Sequence, residues 1–172
     1  MTGPVTAVDP LAAGTGAAEL VAELTARGQT VATAESLTAG LLAATIAGVP
    51  GASVVLRGGL IVYATELKSE LAGVAPATLA VDGPVAASTA AELASGAARR
   101  CGADWGVGLT GVAGPDPQDG TPVGTVFLGV AGPAGVRVRE LALPGGRWEI
   151  RRGAVIAAVS DLLGHVRASA SG

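Results

Sequence analysis

The sequence has 172 residues, 49% hydrophobic and 15% charged, which suits one domain with an aliphatic core and excludes a disordered chain. Eleven Lys and Arg against 14 Asp and Glu leave a formal charge of −3, the wrong sign for a protein that coats nucleic acid. One Cys (Cys101) and one His (His165) exclude an internal disulfide, a cysteine-cluster metal site and any multi-histidine centre.

In chain order, one domain is expected over residues 8–166, with flexible ends at 1–7 and 167–172. The opening MTGPVTAVDPLAAG has no basic stretch followed by an apolar core, so no secretory signal is expected. Asp9-Pro10 forms an N-cap and N1 pair for helical segments through Leu11, Leu20, Val21 and Leu24, which stop at Gly28. Residues 30–34 (TVATA) read as a strand. A helix follows over 37–48, where Leu37, Leu41, Thr45 and Val49 recur every four positions, and Pro50-Gly51 ends it. The uncharged run 37–56 is long enough to span a bilayer, but its Pro-Gly turn favours helix, turn and strand, so no membrane contact is expected. Residues 54–63 read as strand, with Gly58-Gly59 marking a bulge or a close backbone approach. A short helix spans 65–71. Pro84 opens a longer helix that reaches Arg99-Arg100 and stops at Gly102. Strands at 105–110 and 125–131 flank a Gly/Pro-rich loop, and GPAG turns the second into an edge strand at 136–143. The last helix covers 147–166. This alternation predicts an α/β fold: a three-layer α/β/α sandwich with a mixed, mostly parallel sheet.

Ser36 lies where a strand hands over to a helix. It is either a helix N-cap or a nucleophile near free helix-start amides, which stabilise an oxyanion or bind phosphate. Thr38 adds a second hydroxyl, and Glu35 is either a solvated charge or a group that orients a donor. Lys68 reads as a surface charge or, with its pKa pulled down, as a base for a serine hydroxyl. Tyr63, the only tyrosine, stands five residues before Lys68, a spacing that lets both reach the sheet end where Ser36 emerges. The loop in 109–125 (LTGVAGPDPQDGTPVGT) is either a turn-rich connection or a ligand loop; Thr110, Gly111 and Gly114 are its candidate contacts. Arg147 and Arg151 share one face of the last helix's first turns, against the helix dipole. That placement suits phosphate binding as well as a solvated basic face. His165 and Cys101 read as non-catalytic.

The segments TVATAESLTAG, VPGAS, GGLIVYATELKSELAGV and LTGVAGPDPQDGTPVGTV together resemble one family over residues 10–166. It is the CinA C-terminal domain family, which includes the stand-alone nicotinamide mononucleotide (NMN) deamidases called PncC. The resemblance implies a three-layer α/β/α domain. It implies hydrolysis of the NMN carboxamide to nicotinic acid mononucleotide and ammonia, in pyridine nucleotide salvage, with no metal and no organic cofactor. Ser36 falls on the family's A-E-S serine, Tyr63 and Lys68 on its Y-x-x-x-x-K motif, and Thr110 on the threonine before G-x-A-G-P. The family arginine falls on Arg147 or Arg151. The chain departs from the family's usual pattern at Leu37-Thr38-Ala39-Gly40, in place of Cys-Thr-Gly-Gly, and at Thr121, in place of Lys.

The expected mechanism has Ser36 attack with neutral Lys68 as base and Tyr63 as proton relay. Helix-start amides and the Gly111 loop hold the oxyanion, and Arg151, with or without Arg147, holds the 5′-phosphate. A second mechanism leaves Ser36 to orient a water. The competing function is a non-catalytic nucleotide- or partner-binding module linked to competence. Expected partners are the small-molecule substrate and further copies of the chain, a dimer by symmetry, with no nucleic acid, in the cytoplasm.

Overall fold

A computed structural model describes residues 9–169. The expectations for residues 1–7 and 170–172 lie outside the described residues; Arg167 and Ala168, assigned to the loose end, are still helical. The elements are α1 (Ala17–Arg27), β1 (Val31–Glu35), α2 (Leu41–Ala47), a single 3-10 turn (Ala52–Val54), β2 (Leu56–Ile61), α3 (Thr65–Glu70), α4 (Pro76–Val81), α5 (Ala87–Cys101), β3 (Trp105–Gly111), β4 (Thr125–Gly132), β5 (Gly135–Ala142) and α6 (Arg147–Ala168).

The five strands order as β2-β1-β3-β4-β5. β1 pairs in parallel with β2 and β3; β3–β4 and β4–β5 are antiparallel. Four strands therefore share one direction and β4 opposes them, while the pairings divide evenly between the two types. Every residue of β1 is buried, as a central strand covered on both faces requires. Val31 joins the larger core with α1, α2 and α6, whereas Ala32 and Ala34 join a smaller one with Leu93 and Ala97 of α5. Helices thus cover both faces, giving the expected three layers. Among the described residues no helix is long and apolar enough to cross a membrane.

Several boundaries differ from the sequence expectation. Asp9 does organise a turn, its carboxylate accepting the Leu11 N–H, but Gly14 and Gly16 take positive φ and delay α1 to Ala17. The helix expected from 37 starts at Leu41, because Ala39 (φ 49°) and Gly40 (φ 92°) are left-handed. Pro84 precedes α5 rather than opening it. Gly58-Gly59 mark what they were expected to mark. The β1–β2 register slips beside Val31, and a Cβ on Gly59 would stand 2.6 Å from Thr33 Oγ1.

Chain direction fixes where a ligand can bind. From β1 the chain crosses by α2 to β2 on one side, then returns by α3 to α5 to β3 on the other. The switch lies between β1 and β3, where an α/β sheet opens a crevice at its carboxyl end. Close docking of α5 keeps that crevice shaped. Ala90 and Ala94 of α5 lie on Gly106, Gly108 and Gly129, and a Cβ on Gly108 would meet Ala90 O at 2.5 Å and Ala94 N at 2.6 Å. Gly108→Ala is expected to lower stability by roughly 1–3 kcal/mol in urea unfolding, as overpacking does; unchanged stability would show that α5 docks more loosely.

Candidate functional site

Ser36 follows the last residue of β1, Tyr63 stands two residues past the end of β2, and Thr110 and Gly111 close β3. These three neighbouring strand ends face the start of α6. Between them lies a cleft of about 140 Å³ lined by Ser36, Tyr63, Lys68, Thr110, Gly111 and Arg147, among others.

Lys68 sits in α3, only 2% exposed, and heads the fully buried side chains when these are ranked by size. Its Nζ donates to the Val62 carbonyl at 2.8 Å and lies 3.0 Å from Ser36 Oγ. Burial lowers the amine from its ordinary 10.5 to about 8, against a weaker opposing pull from Glu66. With one N–H directed to Val62 O, the neutral amine has a lone pair to offer the Ser36 hydroxyl. That is the arrangement an activated serine needs.

Arg147 spans the cleft wall. Its guanidinium donates to Gly114 O at 2.7 Å and to the Tyr63 hydroxyl oxygen at 2.9 Å. Because Tyr63 accepts that bond, its own O–H proton stays free to donate. Thr110 lines the cleft and donates its hydroxyl to Pro84 O at 2.6 Å, tying the residues before α5 to the site. Gly111 and Gly114 line it too, each also held by packing. A Cβ at Gly111 would meet Thr125 O at 2.6 Å, and at Gly114, which has positive φ, Val123 Cγ1 at 2.7 Å.

Three expected ligand residues lie outside the cleft. Glu35 is fully buried, and its carboxylate accepts the N–H groups of Gly40, Leu42 and Ala43 and the Thr33 hydroxyl, at 2.9 to 3.1 Å. It caps α2 from within, since Gly40 has no capping side chain. Arg151 turns to the loop before α2, donating to Leu37 O at 2.9 Å and Thr38 O at 3.1 Å. Thr38 is fully buried, its hydroxyl unpartnered among the described residues. The helix-start amides expected to face a substrate are thus taken by Glu35. Sequence reading also passed over Asp116, Gln118 and Pro84, which line the cleft. The first two sit in the Gly/Pro loop that reads as either a turn-rich connection or a ligand loop, so their polarity there was the available signal.

A family model for the CinA C-terminal domain matches residues 14–166. A CinA-like protein of Frankia casuarinae is 49% identical over 136 residues, covering 79% of this chain and 31% of that protein. A putative competence-damage inducible protein of a Geobacillus species is 47% identical over 124 residues, 72% of this chain and 30% of the relative. The chain spans about a third of the length of the curated relatives it matches. Among solved structures, the competence/damage inducible protein CihA from Agrobacterium tumefaciens superposes with a TM-score of 0.83 at 35% identity, over 86% of this chain and 92% of that one. A CinA superfamily protein from Klebsiella pneumoniae gives 0.85 at 28% identity, over 88% and 95%. The chain belongs to the CinA C-terminal domain family.

A lysine whose pKa falls on folding leaves a measurable trace. Between pH 8 and 10.5 the unfolded chain holds a proton that the folded chain has released, so stability rises with pH across that interval. Relative to Lys68→Met, the native protein is expected to gain about 2 kcal/mol from pH 8 to pH 10 in urea unfolding. Parallel profiles for the two proteins would mean that Lys68 titrates normally.

Proposed function

We propose that this chain is a cytoplasmic amidohydrolase of pyridine nucleotide salvage that cleaves the carboxamide of NMN to nicotinic acid mononucleotide and ammonia. The observation that carries this reading is the buried Lys68 Nζ, 3.0 Å from Ser36 Oγ at the cleft floor. The family resemblance supplies the substrate, and Arg147 supplies a guanidinium on the cleft wall suited to its 5′-phosphate.

In the proposed mechanism neutral Lys68 takes the Ser36 proton as Oγ bonds to the carboxamide carbon. The carbonyl oxygen becomes the oxyanion. As the tetrahedral species collapses, the C–N bond breaks and the nitrogen receives the proton of the Lys68 ammonium, directly or relayed through Tyr63, and leaves as ammonia, with Lys68 neutral again. Water then attacks the acyl-serine, Lys68 takes its proton and returns one to Ser36 Oγ, and the pyridine carboxylate departs.

The purified protein is expected to release ammonia from NMN, and Ser36→Ala to lower kcat by roughly 10³ or more. Lys68→Arg is expected to be inactive, since a guanidinium stays protonated. Because the neutral amine is the active form, kcat/KM should rise with pH through about 8 and then level off. Tight NMN binding with no ammonia would assign the cleft to a binding module, and near-native turnover of Ser36→Ala would eliminate that serine as the nucleophile.

A further inference from the structure

We infer that Lys68 is a covalent capture site for small planar aldehydes, which the cleft presents to a single amine. Lys68 is the only lysine in the sequence, so apart from the chain's own α-amino group its Nζ is the only primary amine. It lines the cleft together with Ser36 and Tyr63. At about 140 Å³ the cleft is close in size to a cavity of about 150 Å³ that holds benzene, so one six-membered ring fills it.

The surroundings keep this amine ready to react. Its two bonding partners, the Val62 carbonyl and the Ser36 hydroxyl, are neutral, and among the described residues it makes no ion pair. A buried ammonium so placed is poorly compensated, which favours the neutral amine and its lone pair. The lowering to about 8 follows from the same burial, with Glu66 pulling more weakly the other way. Nζ and Ser36 Oγ stand 3.0 Å apart in one cleft, so a carbonyl carbon presented to the serine is presented to the amine as well. An aldehyde offers the serine no leaving group, so that adduct reverts. At the amine, the Nζ lone pair bonds to the aldehyde carbon and the π pair of the carbonyl moves to oxygen. Both Nζ hydrogens pass to that oxygen, which leaves as water, and a C=N bond remains. Under the amidase reading, the imine also occupies the base that Ser36 needs.

The test treats the native protein with pyridine-3-carboxaldehyde and cyanoborohydride at pH 7, both folded and in guanidinium chloride. Hydride transfer to the C=N carbon turns the imine into a stable secondary amine, which fragment mass spectrometry places in the chain. Folded Lys68 is expected to be labelled at least about tenfold faster than unfolded Lys68. Its lowered pKa leaves on the order of a hundredfold more neutral amine at that pH, whereas burial of an ordinary lysine would slow the reaction. Ser36→Ala should still be labelled at Lys68, and Lys68→Met at the α-amino group alone. Labelling of Lys68 no faster in the folded protein than in guanidinium chloride, or its loss in Ser36→Ala, would overturn the inference. The comparison of folded with unfolded native protein needs no variant to fold. Absence of ammonia release from NMN would overturn the amidase reading and leave this inference standing, since its readout is a mass.

Discussion

An amine kept out of water is the costly element of this molecule, and much of the site can be understood as what makes that cost bearable. Bringing Lys68 from 10.5 to about 8 corresponds to roughly 3 kcal/mol against folding at neutral pH, a large share of a small domain's net stability. The amine reaches the Val62 carbonyl and the Lys68 carbonyl accepts the Val74 N–H, both valines being essentially inaccessible. Its two polar partners are the Val62 carbonyl and the Ser36 hydroxyl. A buried ammonium with so few partners is poorly compensated, whereas a buried neutral amine is nearly satisfied. Burial thus shifts the amine toward its neutral form, and the packing of the aliphatic core offsets the cost.

Anionic and cationic side chains play unusual parts around Ser36. A strand-to-helix turn normally leaves the helix-start amides open to a ligand. Here Glu35 folds back and occupies those of α2 itself. The turn is consequently held from within, and the amides at the start of α2 are not open to a ligand. The same logic places Arg151 on carbonyls instead of on a ligand. Both charged residues serve the geometry of the serine, and the cleft retains Arg147 and Asp116 as ionic groups.

Much of this was legible in the sequence, for identifiable reasons. Strand and helix alternation, the Gly58-Gly59 irregularity and the Gly102 stop follow from local chemistry and match the structure. Ser36, Tyr63 and Lys68 were readable because strand ends and a helix start bring them to one end of the sheet. Side-chain direction was not readable. Glu35 and Arg151 carry the residue types of ligand groups, and only tertiary packing turns one onto α2 and the other onto Leu37. The late start of α2 was hidden because Ala39 adopts a left-handed conformation that its identity does not advertise. The six-residue α4 is too short to show a periodic signal.

The start of α6 shows how closely stability and chemistry are joined. Gly146 offers no capping side chain, and two arginines in the first turns oppose the helix dipole. By local rules this end should fray. It is held instead by acceptors from distant parts of the chain: Gly114 O and Tyr63 for Arg147, and Leu37 O and Thr38 O for Arg151. These bonds join residues 33 to 114 positions apart, so they exist only when the sheet end is fully assembled. Opening that first turn would release the cleft arginine and the clamp on the serine turn together. Arg147, Tyr63 and the turn after Ser36 therefore belong to one cooperative unit with the start of α6, and disorder there would reach them before it reached the core.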